Sequence, residues 1–308
     1  MDVVKIYIPQ DYSTIQSFLE NAAARPNPDT NIWIGILTNE SYTESPQLTF
    51  DNDHPSLKNV ILTVDYNKNV IWTNSSDRTF LISLIAWSNS NTIVSNFKID
   101  PLCDFNNLND FDTYSLKQGR ESLIITPHSN QDIYDVLIIN QINVGLVNID
   151  KQISIENVTF VPENNNKRIY KYIDLICNSI TSDTVIEIAN CTGIESSSMY
   201  GTVINIRKGS DSINGTVNII GNKGIKLDSA PLVYLYGSSS SFLGTLNIQQ
   251  NEFIDVKNAS IYARISGEFN FINNLIIITD PAETSNEYIK CITESDNAVI
   301  HWYFNTLV

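Results

Sequence analysis

The sequence predicts an all-β chain wound as a right-handed, single-stranded parallel β-helix with a short N-terminal capping helix. Three observations carry that reading. A strand–turn–strand unit recurs without gaps in the C-terminal third, the composition favours strands and turns, and an amphipathic segment of helical period stands near the N-terminus.

The repeat comprises "GTVNIIGNKGIKL" from Gly215, "GTLNIQQNEFIDV" from Gly244 and "GEFNFINNLIIIT" from Gly267. Apolar residues fill the third and fifth places: Val217 and Ile219, Leu246 and Ile248, Phe269 and Phe271. Asn fills the fourth place (Asn218, Asn247, Asn270) and the eighth (Asn222, Asn251, Asn274), and Ile the eleventh (Ile225, Ile254, Ile277). A period of two puts the apolar set on one face, which a single unit cannot bury. Stacking successive units in parallel, roughly 4.8 Å apart, buries it in a continuous core. The unequal spacing of the three glycines means a constant unit joined by loops of variable length. At the eighth place Asn tolerates a turn conformation, and stacked amides bond along the axis, so Asn222, Asn251 and Asn274 are expected to form an interior-facing ladder. Looser copies around Asn96, Asn140 and Asn157 extend the pattern upstream, giving on the order of ten rungs and about 50 Å of axis.

One domain with three parts follows: residues 1–29 as a cap of one strand and a short helix, 30–300 as the β-helix, and 301–308 as an apolar tail. In the cap, Ser13 and Gln16 read as an S-x-x-Q capping box. Ile15, Phe18, Leu19, Ala22 and Ala23 fall on one helical face, and "RPNPD" ends the helix at Arg25–Asp29.

Composition bounds the partners. Lys+Arg 19 against Asp+Glu 34 gives a net charge of −15, which repels nucleic acid and anionic membranes. No apolar run is long enough to span a bilayer, so membrane insertion is not expected. The N-terminus shows no basic stretch followed by an apolar one, so no secretory leader is expected. Cys103, Cys177, Cys191 and Cys291 form no C-x-x-C pair, which argues for four buried free thiols and against a zinc site. No metal and no cofactor is expected.

The opening of the chain resembles the start of pectin-lyase-fold proteins, pectin methylesterases especially. The matching residues are Asp11-Tyr12-Ser13-Thr14-Ile15-Gln16, the strand Ile32–Leu37, and then Tyr42 and Glu44; Glu40 stands where that family has Gly. The resemblance covers roughly the first fifth of the chain and implies the fold, because these residues build the cap and first rung. It does not imply the esterase activity. Gln131-Asp132 is the only echo of that family's Gln-Asp segment, and the downstream "D-F-I-F-G" and "G-R-P-W" motifs are missing. Gln131-Asp132 therefore reads as a polar turn before the strand Tyr134–Asn140, and no catalytic residue is expected; Gln131 and Asp132 are the candidates the resemblance offers in its place. The acidic and basic pattern of calcium-dependent lyases is also missing.

Asp100, Asp104, Asp110 and Asp112 could offer oxygens to calcium, but their spacing matches no EF-hand, and Asp100–Glu121 reads as a solvated excursion. Pro162–Lys171 reads as a flexible loop. Asp228, Glu252, Asp255 and Asp280 could supply the carboxylate pair of a glycosidase. The alignment sets Lys223 beside Glu252 and Lys226 beside Asp255, a structural pairing. His54, His128 and His301 have no Ser or Cys nucleophile at recognisable spacing. Tyr234, Tyr236 and Tyr262 form either a sugar platform or a stack between rungs. Trp302, Tyr303 and Phe304, followed by Leu307 and Val308, either plug the end of the core or anchor an interface.

The functional expectation is a non-catalytic viral structural or adsorption protein, such as a tail spike, fibre or capsid-associated β-helix. It would act in the virion as a homo-oligomer (a trimer, for example) or with other virion proteins, with a host-surface glycan as possible ligand. The alternatives are a polysaccharide-degrading enzyme (glycoside hydrolase, lyase or carbohydrate esterase) and a carbohydrate-binding β-helix, extracellular or at a cell surface. These expectations rest on analogy at the level of the fold.

Overall fold

The computed structural model describes residues 1–86, 91–141, 146–177, 179–196, 201–208, 214–228, 230–237, 242–256, 259–263, 266–277, 289–292 and 298–308. Among the described residues the fold is all-β, with 61% in strands, 4% in a single helix, and long parallel sheets. The chain visits three sheets in rotation. The first gathers Asp2–Ile8, Asn31–Leu37, Ser56–Val64, Asn91–Ile99, Leu146–Glu156, Val185–Ala189, Thr216–Ile220, Thr245–Gln249, Glu268–Ile272 and Val299–Tyr303, stacked in chain order. The second is built from short segments, from Ser41–Thr43 through Asn69–Thr73, Ser122–Ile125 and Thr159–Phe160, then single bridges at Thr192 and Lys223, to Glu252–Ile254, Leu275–Ile277 and Thr306–Leu307. The third runs from Gln47–Phe50 through Phe80–Ala86, Ile133–Gln141, Lys167–Cys177, Thr202–Lys208, Pro231–Gly237 and Ala259–Ala263 to Ile289–Ile292.

Alternation explains why one core serves all three sheets. Thr216–Ile220 and Thr245–Gln249 bury every second residue. Ile248, Phe253 and Ile261, one from each sheet, join the same apolar cluster, as do Leu62, Trp72 and Leu84 far upstream. Registered neighbours in the first sheet are 23 residues apart between Leu246 and Phe269, and 56 apart between Phe97 and Ile153. The glycines that open the repeat have a steric reason. A Cβ on Gly244 would fall on the carbonyl oxygen of Gly215, and one on Gly267 on that of Gly244, so the backbones touch where a side chain would stand.

The corner from the first to the second sheet is uniform in the later rungs. Asn190, Gly221, Gln250, Asn273 and Phe304 all adopt positive φ, between 53° and 67°. The residue after each, Cys191, Asn222, Asn251, Asn274 or Asn305, turns inward. Gly and Asn accept this left-handed backbone readily; Phe304 does so against steric cost.

The N-terminal helix spans Ile15–Ala24 and buries Ile15, Phe18, Leu19, Ala22 and Ala23. Its capping box differs from the expected one. Thr14, not Ser13, is the N-cap, and Ser17, not Gln16, closes the box. The Gln16 side chain instead grips the first rung, its Oε1 accepting from Gln47 N (2.6 Å) and its Nε2 donating to Gln47 O (2.9 Å). Glu44 takes up the helix start by accepting from the backbone of Ile15 and Gln16. Burial raises the Glu44 carboxyl above its usual pKa, and those backbone bonds pull against the shift. Tyr42 donates its hydroxyl to Ile8 O (2.5 Å), tying the first strand to the second sheet.

The acidic segment after Asp100 is not a solvated excursion. Cys103–Leu108 and Tyr114–Leu116 pair antiparallel as a hairpin. The hairpin covers the outer face of the first sheet, where Cys103, Phe105, Leu108 and Phe111 pack on Ile32, Ile34, Ile36 and Ile61. The sheet strands there are apolar on both faces, so the outer face needs a cover. Asp100 is fully buried and accepts from Tyr114 Oη, Asn157 Nδ2 and Leu102 N, all at 2.8–2.9 Å. Lys117 is buried beneath the hairpin and donates to Thr63 Oγ1, Pro101 O and Val64 O. Among the described residues no His/Cys/Asp/Glu group is arranged to hold a metal ion. No described helix is long and apolar enough to cross a membrane.

Candidate functional site

The residues singled out from the sequence fall in separate places. Asn222, Asn251 and Asn274 are hydrogen-bonded in series within the core, each at most 2% exposed. Asn222 Nδ2 donates to Asn251 Oδ1 (3.0 Å) and Asn251 Nδ2 to Asn274 Oδ1 (3.1 Å). Each Oδ1 also accepts the backbone N–H of the rung before, as in Asn222 N to Asn251 Oδ1 (3.0 Å). Asn305 continues the series, accepting from Asn274 N and Nδ2. Cys191 occupies the corresponding place one rung earlier, where its thiol faces Ile155 O and Ala189 O. This column is structural.

Gln131 closes a tight turn with His128, and Asp132 accepts from Arg168 N (2.8 Å). Trp302 stacks on Phe271 at 4.2 Å, continuing the interior aromatic column. It is 46% exposed, with Tyr303 at 43% and Phe304 at 77%. The segment expected as a tail is paired: Val299–Tyr303 lies on Glu268–Ile272 and Thr306–Leu307 on Leu275–Ile277. Lys226 approaches Glu195 at 3.7 Å. Cys103, Cys177 and Cys191 are buried and form no disulfide. Asp280 and the side chains of Tyr236, Tyr262 and Cys291 lie outside the described residues.

The outer face of the third sheet carries the arrangement with chemical content. Asn205 and Arg207 alternate with the buried Ile204 and Ile206, so they face away from the core. With Lys171, Gly201, Thr202, Pro231 and Tyr234 they line a surface pocket of about 360 Å³. Parallel register brings them together, because Lys171 pairs with Thr202, Asp174 with Asn205, and Asn205 with Tyr234. One rung earlier Asp135 pairs with Lys171. Beside it Tyr134 and Tyr170 stack at 4.8 Å with planes 11° apart, and Tyr134 is 45% exposed.

The charges form a closed network. Lys171 Nζ lies 3.0 Å from Asp135 and 2.6 Å from Asp174. Asp174, its side chain 1% exposed, also receives Arg207 (3.1 Å) and Asn205 Nδ2 (2.8 Å). Burial pushes the Asp135 carboxyl up to about 6, with Lys171 pulling it down and Asp174 pushing it further up. Burial works against the Lys171 ammonium, but the two carboxylates outweigh it and raise its pKa.

One atom of this network is unspent. Asn205 is 6% exposed, and its Oδ1 has no hydrogen-bond partner among the described residues. The amide orientation is fixed, since reversing it would set Oδ1 against the Asp174 carboxylate. A buried acceptor left unpaired beside a pocket marks a place where a donor belongs, and since this oxygen has under 1 Å² of accessible surface, a ligand reaches it as a pocket-lining side chain shifts.

None of these groove residues except Tyr234 stood out in the sequence. A signal was present: "IYD" at 133–135 and "IYK" at 169–171 align as successive rungs and put Asp135 against Lys171. Comparison with family models, curated proteins and solved structures gives no match.

Proposed function

We propose that the chain is a right-handed parallel β-helix of the pectin-lyase-like kind that binds a glycan on the outer face of its third sheet without cleaving it. The rotation through three parallel sheets supports the solenoid, and the strong preference for right-handed crossovers between parallel strands supports the hand. The observation that carries the function is the pocket at Asn205. It offers a buried unspent acceptor, two cationic donors and a tyrosine, Tyr234, the mixture by which a hydroxyl-bearing ring is oriented and stacked. Asp135 and Asp174 are both committed to Lys171, which leaves neither as the independent acid or nucleophile of a glycosidase.

Binding without cleavage is the adhesive role of a virion adsorption protein. The exposed apolar final rung supports the assembly part of the proposal, self-association through Trp302, Tyr303 and Phe304. A glycan array probed with the intact protein, followed by chromatography of any bound glycan after prolonged incubation, tests the functional reading. Retention of a glycan that is recovered at its original length supports it. Shortened or unsaturated products, or no retention at all, overturn it.

A further inference from the structure

The ligand class can be narrowed, on the footing that the groove is a glycan site. We propose that it selects an uncharged, hydroxyl-rich sugar and discriminates against acidic ones. Three independent features point the same way.

The first is the unspent Asn205 Oδ1. It accepts and cannot donate. A sugar hydroxyl or an amide N–H satisfies it; a carboxylate, sulfate or phosphate group seated at that atom, rich only in acceptors, does not, so an acidic sugar gains nothing there from its charge.

The second is the state of the two cations. Lys171 lies between Asp135 and Asp174, and Arg207 lies on Asp174, so two positive charges face two negative ones. A carboxylate that drew Lys171 or the half-exposed Arg207 towards itself would do so at the expense of Asp174, whose side chain is 1% exposed. That would strip a buried anion of a partner, a cost that an uncharged sugar does not incur. The same cations disfavour an amino sugar carrying an ammonium.

The third is the field of the whole chain. A net charge of −15 opposes the approach of any polyanion. The tyrosines complete the picture: Tyr234 in the wall, and the Tyr134–Tyr170 pair beside Lys171, offer ring faces to the C–H faces of a sugar.

The test is isothermal titration of the intact protein with four oligosaccharides of matched length: cellohexaose, maltohexaose, hexagalacturonate and hexaglucosamine. The expected result is binding of at least one neutral oligomer, roughly tenfold or more tighter than either charged one, and insensitive to added salt. Asn205→Ala should weaken the neutral oligomer about tenfold or more while its circular dichroism stays that of the wild type. Should that variant not fold, the side-chain amide resonance of Asn205 in the wild-type protein is followed instead; it should shift on addition of the neutral oligomer. Tighter binding of hexagalacturonate or hexaglucosamine, salt-sensitive binding, or a neutral oligomer whose affinity survives Asn205→Ala overturns the ligand class and leaves the glycan reading standing. Failure of all four to bind, together with an empty glycan array, overturns both.

Discussion

Replacing Asn251 with Ala tests whether the interior amide column holds the rungs together. Asn251 Oδ1 accepts from Asn222 N and Asn222 Nδ2, both at 3.0 Å, while its Nδ2 donates to Ile219 O (2.8 Å) and Asn274 Oδ1 (3.1 Å). Truncation leaves some of these partners satisfied. Asn222 Nδ2 keeps Ile188 O, and Asn274 Oδ1 keeps the backbone N–H of residue 251. It strips the Asn222 N–H and removes the side-chain donor from Ile219 O, both in a region that water does not reach. At about 1–3 kcal/mol for each buried group deprived of its partner, the loss is about 2–6 kcal/mol, a large share of a typical domain's stability. The control is Asn247→Ala on the same rung. Asn247 sits in a second amide row, on the outer face of the first sheet, bonded to Asn218 and Asn270 at 2.9 Å but only half-buried. Its loss should cost about 1 kcal/mol or less, since water replaces the bonds. Urea unfolding followed by circular dichroism reads both. A difference between the two variants of less than about 1 kcal/mol would refute the argument that burial gives the inner column its weight.

Four further outcomes follow. Cys191→Asn should raise stability by about 1 kcal/mol, because an amide there can donate to Ile155 O, where a thiol now makes a 3.5 Å contact; a thermal melt reads it, and a lowered Tm counts against the extended column. Phe304→Gly should stabilise by about 1 kcal/mol by removing a Cβ from a φ of 60°, and an unchanged melting temperature would mean the ring is held by contacts that compensate. Deleting the hairpin Cys103–Leu116 should expose Ile32, Ile34, Ile36 and Ile61; at about 1.5–3 kcal/mol each this is enough to aggregate the protein, so a soluble variant that binds no apolar dye would be incompatible with the hairpin as a cover. Asp135 binds its proton more readily folded, at about 6, than unfolded, so its contribution to stability grows as pH falls from about 6 towards about 4; Asp135→Asn should flatten that part of the stability–pH curve, and an unaltered slope would contradict the burial argument.

What could be read from the sequence depended on whether the pattern was local. The alternation at Val217, Ile219, Leu246 and Ile248 and the helical face from Ile15 to Ala23 are written in neighbouring residues, and strands and helix appear there. Ser13 and Thr14 are equally good caps by residue type, so local pattern does not choose between them, and the helix starts from Thr14. Gln16 was needed elsewhere, on a strand 31 residues away that no local rule could announce. The hairpin was misread for a related reason. Its Asp and Asn residues look solvated, while the apolar residues among them, Phe105, Leu108 and Phe111, answer an outer face of Ile residues 44 or more positions upstream. The groove escaped notice because its members come from four successive rungs joined by loops of unequal length, so their register is fixed by stacking and not by spacing.

The corner between the first and second sheets has a consequence for how such a chain can change over time. From Ala189 onward, five successive passages from the first sheet to the second use two residues, one in the left-handed conformation and one turned inward. The passage from the second sheet to the third is not so constrained: four residues separate Ile254 from Ala259, and eleven separate Ile277 from Ile289. In these later rungs length variation therefore falls outside this corner, which acts as a keel that keeps them in phase; upstream, between Ile99 and Ser122, the same corner carries the hairpin. A foreign peptide grafted between the second and third sheets would be displayed along one edge at the rung chosen, and the same graft at residues 250–251 would interrupt the stack.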